Sequence, residues 1–187
     1  NSYTWYVNQY KDHPAILMWE FGNEFNYHPE WFGGNIDNWY NQLETAAANV
    51  KTIDPNHPVS TGNGEVPSLD VINSCPSVDV WGMNIYRFLY TTSAITDLAS
   101  YSDKAMYISE SGADSFNNNQ QSENQSQQAL ATEQILNSVL SYSDLCAGIT
   151  LFEFCDEWWK AGDPNSHDPG GFPISVAYVN FEIEDNG

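Results

Sequence analysis

The stretch HPAILMWEFGNEF, His13 to Phe25, decides how the rest of the chain is read. Ile16, Leu17, Met18 and Trp19 make an apolar run too short and too bulky for a helix of its own, so it predicts a buried strand. Pro14 keeps the residue before it extended and gives that strand a sharp start. The run ends in Glu20, Phe21, Gly22, Asn23 and Glu24. A charge at the end of a buried strand needs a partner or a purpose. One purpose is acid–base chemistry at the mouth of a β/α barrel, whose strand ends carry the reacting groups.

Working outward from this stretch, helix and strand patterns alternate. Upstream, Tyr3, Tyr6, Val7 and Tyr10 fall at helical spacing. Downstream, an aromatic loop (Phe25, Tyr27, Trp31, Phe32) leads to an amphipathic helix from Ile36 to Ile53, stopped by Asp54-Pro55. Val59-Ser60-Thr61 predicts a short strand before a polar, Gly-rich loop, and Leu69 to Asn73 a short helix. Further strands are expected over Val78–Tyr86, Ala105–Glu110 and Gly148–Cys155. A helix is expected over Ser93–Tyr101, and the polar run Asn117–Gln128 reads as a loop feeding a long helix. Five strands alternating with helices imply a parallel sheet with right-handed crossovers. Two architectures fit the pattern, an open doubly wound sheet and part of a closed (β/α)8 TIM barrel. No GxGxxG follows the first strand, which weakens a nucleotide-binding version.

Composition narrows the function classes. The 187 residues carry five Lys and Arg against 25 Asp and Glu, a net charge of −20. Such a surface argues against nucleic acid and anionic membranes, since phosphate binding needs clustered cations. No stretch of 18 apolar residues is present to span a membrane. Cys75, Cys146 and Cys155 are widely spaced and form no CxxC, resembling neither a zinc site nor a disulfide framework. His13, His28, His57 and His167 are scattered, and solvated or structural roles fit them better than ligation.

Glu24 and Glu110 share one feature: each closes an apolar strand and is followed by a loop. Alternation puts Met106, Ile108 and Glu110 on one face, and Met18, Glu20, Gly22 and Glu24 on one face unless a bulge intervenes. Two carboxylates at the C-terminal rim of one barrel can cleave a glycosidic bond, one as acid and one as nucleophile, when about 5–5.5 Å apart. Glu20 reads instead as a barrel-interior residue paired with something outside this segment. The competing view of Glu24 and Glu110 as ion-paired structural carboxylates is weakened by the scarcity of basic partners.

Three motifs now carry a resemblance. DHPAILMWEFGNE resembles the strand-four motif of retaining β-glycosidases in the clan that includes glycoside hydrolase families 2 and 5. MYISESGAD is similar to its strand-seven motif, and DVWGMNIY resembles the strand-six segment of family 2 members. The resemblance implies the C-terminal part, about strands four to eight, of a (β/α)8 TIM barrel, with strands one to three upstream. It implies that Glu24 is the acid/base and Glu110 the nucleophile. It further implies that Asn23 donates to the sugar 2-hydroxyl and that Asn84 and Tyr86 belong to the site, Tyr86 orienting Glu110. It implies a carbohydrate substrate and no metal or other cofactor.

Trp158 and Trp159 follow the last strand and offer either a sugar-stacking platform or a cap on the barrel rim. Where many clan members carry a Trp in strand eight, this chain has Phe152. Transglycosylation, a non-catalytic carbohydrate-binding barrel and an acidic interaction domain are the competing functions. The last explains the charge but not three ordered motifs.

The chain has no initiator Met and opens in what reads as mid-helix, so it looks cut from something longer, with any address signal upstream. Expressed alone, it is expected to be poorly folded or inactive because five strands leave open edges. A cooperative melt together with full turnover from the 187-residue segment would overturn that expectation.

Overall fold

The computed structural model describes residues 2–87, 91–113, 115–117 and 122–154. In chain order the elements are α1 (Tyr3–Tyr10), β1 (Trp19–Asn23), α2 (Asp37–Ile53), β2 (Val59–Gly64), α3 (Leu69–Ser74), β3 (Val80–Asn84) and α4 (Thr91–Ala99). They continue with β4 (Ala105–Ser111), β5 (Phe116–Asn117), β6 (Ser122–Glu123), α5 (Gln125–Leu140) and β7 (Cys146–Leu151). Five strands form one sheet in the order β1-β2-β3-β4-β7, and β5 pairs with β6. Both the β1–β2 and the β2–β3 pairings are parallel. Helices separate the sheet strands in the chain, as parallel crossovers require. This is the strand order of a barrel segment, with no reversal of the kind that marks a doubly wound sheet. The chain divides into two compact units, Asn1–Asn84 with Ala94–Tyr107 and Ile85–Ser93 with Ile108–Gly187.

In the first unit the core lies between the sheet and α2. Trp39, Tyr40, Leu43, Ala47 and Val50 supply the buried stripe of α2, and Trp81 and Met83 of β3 are also sealed from solvent. The helix begins where Asn35 accepts a bond from the Asp37 amide (2.9 Å) and ends before Pro55. The second unit buries Ala131, Ile135 and Val139 of α5 together with Ile108 of β4 and Cys146 of β7. Cys75 and Cys146 are buried free thiols, and burial pushes both up from the ordinary thiol value. Cys155 and His167 lie outside the described residues.

Several boundaries differ from the sequence reading. The buried strand expected at Ile16–Trp19 begins only at Trp19, and Leu17 is 77% exposed. The ladder starts where β2 offers a partner: Trp19 N donates to Pro58 O, and β2 opens at Val59. Conversely, β2 runs through Gly62, Asn63 and Gly64, which polarity had assigned to a loop, and all six of its residues are buried. Its polar side chains are satisfied inside the unit. Thr61 donates to Phe21 O (2.7 Å), and Asn63 accepts from Tyr40 and donates to two carbonyls. The Tyr40 hydroxyl, pushed up to about 12 chiefly by burial, stays a donor at any ordinary pH. The polar run at Asn117–Gln128 is not all loop: α5 starts inside it at Gln125, capped by Asn124 Oδ1 on the Gln127 amide (3.0 Å). Among the described residues the last strand is Cys146–Leu151, shifted toward the N-terminus of the expected span; Phe152 N donates to Ser111 O, so this strand closes level with β4.

At the chain reversal between α2 and β2, Asp54 is 1% exposed yet fully provided with donors. The Trp19 indole (2.8 Å), the His57 ring (2.7 Å) and the backbone amides of Asn56 and His57 converge on its carboxylate. Burial pushes its carboxyl up, but the indole, imidazole and amide bonds outweigh that and hold it below the usual carboxylate value. A depressed folded value means that the stabilisation is complete above the unfolded value of about 3.9 and is lost as pH falls through the folded one. Asp54→Ala is therefore expected to cost about 2–3 kcal/mol near neutral pH. Urea melts should show that deficit shrinking below about pH 4.

Candidate active site

The first candidate pair stands at the end of β1. In the pairing with β2, Trp19 lies opposite Val59 and Glu20 opposite Ser60, but Asn23 lies opposite Gly62. Three β1 residues therefore span a step that β2 makes in two, which is a bulge. Gly22 has a φ of 73°, and a Cβ there would sit 2.6 Å from the Trp39 ring, so both conformation and space demand glycine. Glu24 is itself left-handed, with a φ of 54°, and its amide donates to Gly62 O at 2.8 Å. The bulge cancels the simple alternation that would align Glu20, Gly22 and Glu24: Glu20 and Asn23 match successive same-face positions of β2 instead. Glu24, left half-buried, starts a short 3-10 turn at the rim.

Glu20, which the sequence reading paired outside this segment, has donors within it. Ser60 Oγ donates to its carboxylate at 3.1 Å, and the Tyr107 hydroxyl donates to the same oxygen. Asn84, at the end of β3, is buried and donates from Nδ2 to Asn23 Oδ1 at 3.0 Å. The loop after Glu24 is pinned to β2 by Asn26, which accepts from Gly64 N (2.8 Å) and donates to Gly64 O (2.9 Å). Tyr27 then lies so close over Gly64 that a Cβ there would meet its ring at 2.2 Å. Phe32 packs with Phe25 and Trp39, whereas Trp31 stays 59% exposed and stacks on the His28 ring at 3.9 Å.

The second pair belongs to the other unit. The Tyr86 hydroxyl donates to Glu110 Oε2 at 2.8 Å, and Ile85 N donates to Glu110 O at 2.8 Å. One backbone and one side-chain bond thus hold the Glu110 residue. Burial along β4 alternates through Met106 and Ile108, then shifts so that Ser111, and not Glu110, is sealed. Gly112 follows, and a Cβ on it would fall 1.8 Å from the Phe152 carbonyl oxygen. Trp158 and Trp159 lie outside the described residues.

The described lysines are engaged within the first unit. Lys11 donates to Ile53 O, Lys51 pairs with Asp79, and Lys104 donates to Pro76 O and Val78 O. These bonds cluster at the entry ends of the strands, whereas Glu24 and Glu110 stand at the exit ends of β1 and β4. Among the described residues, no three His, Cys, Asp or Glu side chains gather as a metal would need. A cavity of about 340 Å³ beside α1 and α2, lined by Tyr3, Phe21, Trp39 and Leu43, holds none of the candidate groups.

The family model for the TIM barrel domain of glycosyl hydrolases family 2 matches residues 2–163. The chain belongs to this family. Mannan endo-1,4-beta-mannosidase F of Aspergillus clavatus is 45% identical over 56 residues, which is 30% of this chain and 12% of that protein. The chain therefore spans about an eighth of such curated relatives. Among solved structures, a beta-glucuronidase of Bacteroides uniformis gives a TM-score of 0.61 at 15% identity, covering 82% of this chain and 22% of that one. A beta-1,3-glucanosyltransferase of Rhizomucor miehei also gives 0.61 at 15%, covering 97% and 69%. These likenesses bear on the fold.

Sequence reasoning missed Gly62, Gly64 and Gly112. Glycine inside a strand or just after one was the available signal, because it marks a close approach by another group. Gly112→Ala has no room against the Phe152 carbonyl and must displace the backbone two residues from Glu110. Glycoside turnover is expected to fall by roughly tenfold to a hundredfold with circular dichroism unchanged, since a shift of about 1 Å suffices. Unchanged kcat/KM would show that the rim absorbs the methyl group.

Proposed function

We propose that this chain carries the catalytic groups of a glycosidase that hydrolyses β-glycosidic bonds with retention of configuration. The observation that carries the reading is the Tyr86–Glu110 bond of 2.8 Å. A carboxylate held by a phenol, on a residue whose own carbonyl is bonded to the neighbouring backbone, is oriented as a nucleophile must be. Family membership supports the same reading.

In the first step a Glu110 oxygen bonds to the anomeric carbon while the glycosidic C–O bond breaks, and Glu24 gives its proton to the departing oxygen. In the second, Glu24 takes a proton from water, the water oxygen bonds to the same carbon, and Glu110 leaves. Two displacements restore the starting configuration. Asn23 donates to the sugar 2-hydroxyl, a contact that strengthens in the transition state. The half-buried setting of Glu24 suits a group that must exchange protons twice. A β-linked glycan is the proposed substrate, supported by the stretch of identity to a mannan endo-1,4-beta-mannosidase. With a sugar hydroxyl in place of water, the same intermediate would give transglycosylation.

A 2-fluoro slow substrate is expected to leave its sugar on Glu110, located by peptide mass spectrometry of the full-length protein. Label on another residue, or a product of inverted anomeric configuration, would sink the assignment. In the same protein Glu24→Ala should slow poorly activated leaving groups at least a hundredfold more than activated ones. Equal losses would remove Glu24 from the acid role.

A further inference from the structure

We infer that Asn84 is a positioning residue that acts through Asn23, with Gly62 as the gap across which it reaches. The inference rests on the catalytic reading above and deepens it. Asn84 is only 3% exposed, so it presents little surface to a ligand, whereas Asn23 is exposed at the end of β1. The two residues belong to strands that are not neighbours, since β2 lies between β1 and β3. Their side chains nevertheless meet, Asn84 Nδ2 donating to Asn23 Oδ1 at 3.0 Å.

The bond spans β2 because the β2 residue opposite Asn23 is Gly62. A Cβ on Gly62 would lie 3.2 Å from Asn23 Oδ1 and 3.6 Å from Glu20 Oε1, so any side chain there would press on the amide. Gly62 also supplies the carbonyl that binds the Glu24 amide at 2.8 Å. One glycine thus sets the backbone of Glu24 and leaves the space in which Asn23 is oriented.

The consequence is chemical polarity. A free asparagine amide can present its oxygen or its nitrogen to the same point by a half-turn about its last torsion. With Oδ1 turned toward Asn84, the Asn23 amide presents Nδ2 on its other side, as a donor. A ligand hydroxyl met there must accept. Such preorganisation is present before substrate arrives, so its loss falls on kcat more than on KM.

The test compares a β-glycoside with its 2-deoxy counterpart in the full-length enzyme and in Asn23→Ala, Asn84→Ala and Gly62→Ala variants. Both Asn84→Ala and Gly62→Ala are expected to shrink the preference for the 2-hydroxy substrate by roughly tenfold, about one well-made hydrogen bond, mainly through kcat. Asn23→Ala should shrink it at least as far, and the Asn23→Ala/Asn84→Ala double variant no further. Gly62→Ala keeps the Asn84 amide in place, so it tests the same point if Asn84→Ala is poorly folded. An intact preference in both Asn84→Ala and Gly62→Ala, with Asn23→Ala having lost it, overturns the inference and leaves the catalytic reading standing. A raised KM on both substrates with kcat unchanged in Asn84→Ala would mean that Asn84 binds the sugar itself, and overturns it too. An intact preference in Asn23→Ala removes the role of Asn23 and this inference with it, while sugar trapped on Glu110 would still uphold the nucleophile.

Discussion

The bond from the Glu24 amide to the Gly62 carbonyl is the constraint on which the end of β1 depends. It holds a strand that has just gained an extra residue against a partner that has not. Reaching it requires two left-handed residues, Gly22 and Glu24, on either side of Asn23. For glycine that conformation is free; for glutamate it costs on the order of 1 kcal/mol or more. The cost is offset by what the turn makes possible. Trp39 packs in the space a Gly22 side chain would occupy, and Phe25 packs against Trp39 at a ring separation of 4.8 Å. Asn26 then fastens the loop to both backbone groups of Gly64.

The ends of the strands divide their labour. At the entry ends, Lys51 meets Asp79, Lys104 meets two carbonyls, and Asp54 gathers an indole, an imidazole and two amides. These groups close off backbone and carboxylate valences where helices turn into strands, and they serve stability. At the exit ends the polar side chains are tied to one another instead: Asn84 to Asn23, and Tyr86 to Glu110. Of the chain's five basic residues, Lys11, Lys51 and Lys104 are engaged at the entry ends. The Tyr86 phenol, a neutral donor, bonds the Glu110 carboxylate.

Glycine does much of the work that side chains do elsewhere. In β2, Gly62 makes room for Asn23 and Gly64 for the Tyr27 ring; after β4, Gly112 makes room for the Phe152 carbonyl. Each is a place where one strand's missing Cβ is filled by a neighbour's group. This also explains why β2 could be read as a loop: its sequence VSTGNG has little hydropathy, yet neighbouring strands, α2 and Tyr27 bury all six residues.

What the sequence settled by itself was local and periodic. The amphipathic stripe of α2, its stop at Asp54-Pro55, the alternation of helix with strand, and the order of three motifs were legible because each depends on neighbours in the chain. Tyr86 bonding Glu110 followed from the family resemblance, and the geometry of the described residues agrees with it. What only the tertiary structure decided was everything that depends on the strand alongside. The bulge that breaks the alternation of Glu20, Gly22 and Glu24, the pairing of Glu20 with Ser60 and Tyr107, and the reach of Asn84 across Gly62 belong to this class. The physical reason is that register and close approach arise between strands 40 to 90 positions apart in sequence, as in Glu20 with Ser60 (40 apart) and with Tyr107 (87 apart). A glycine in the sequence shows only that something must come near, not what.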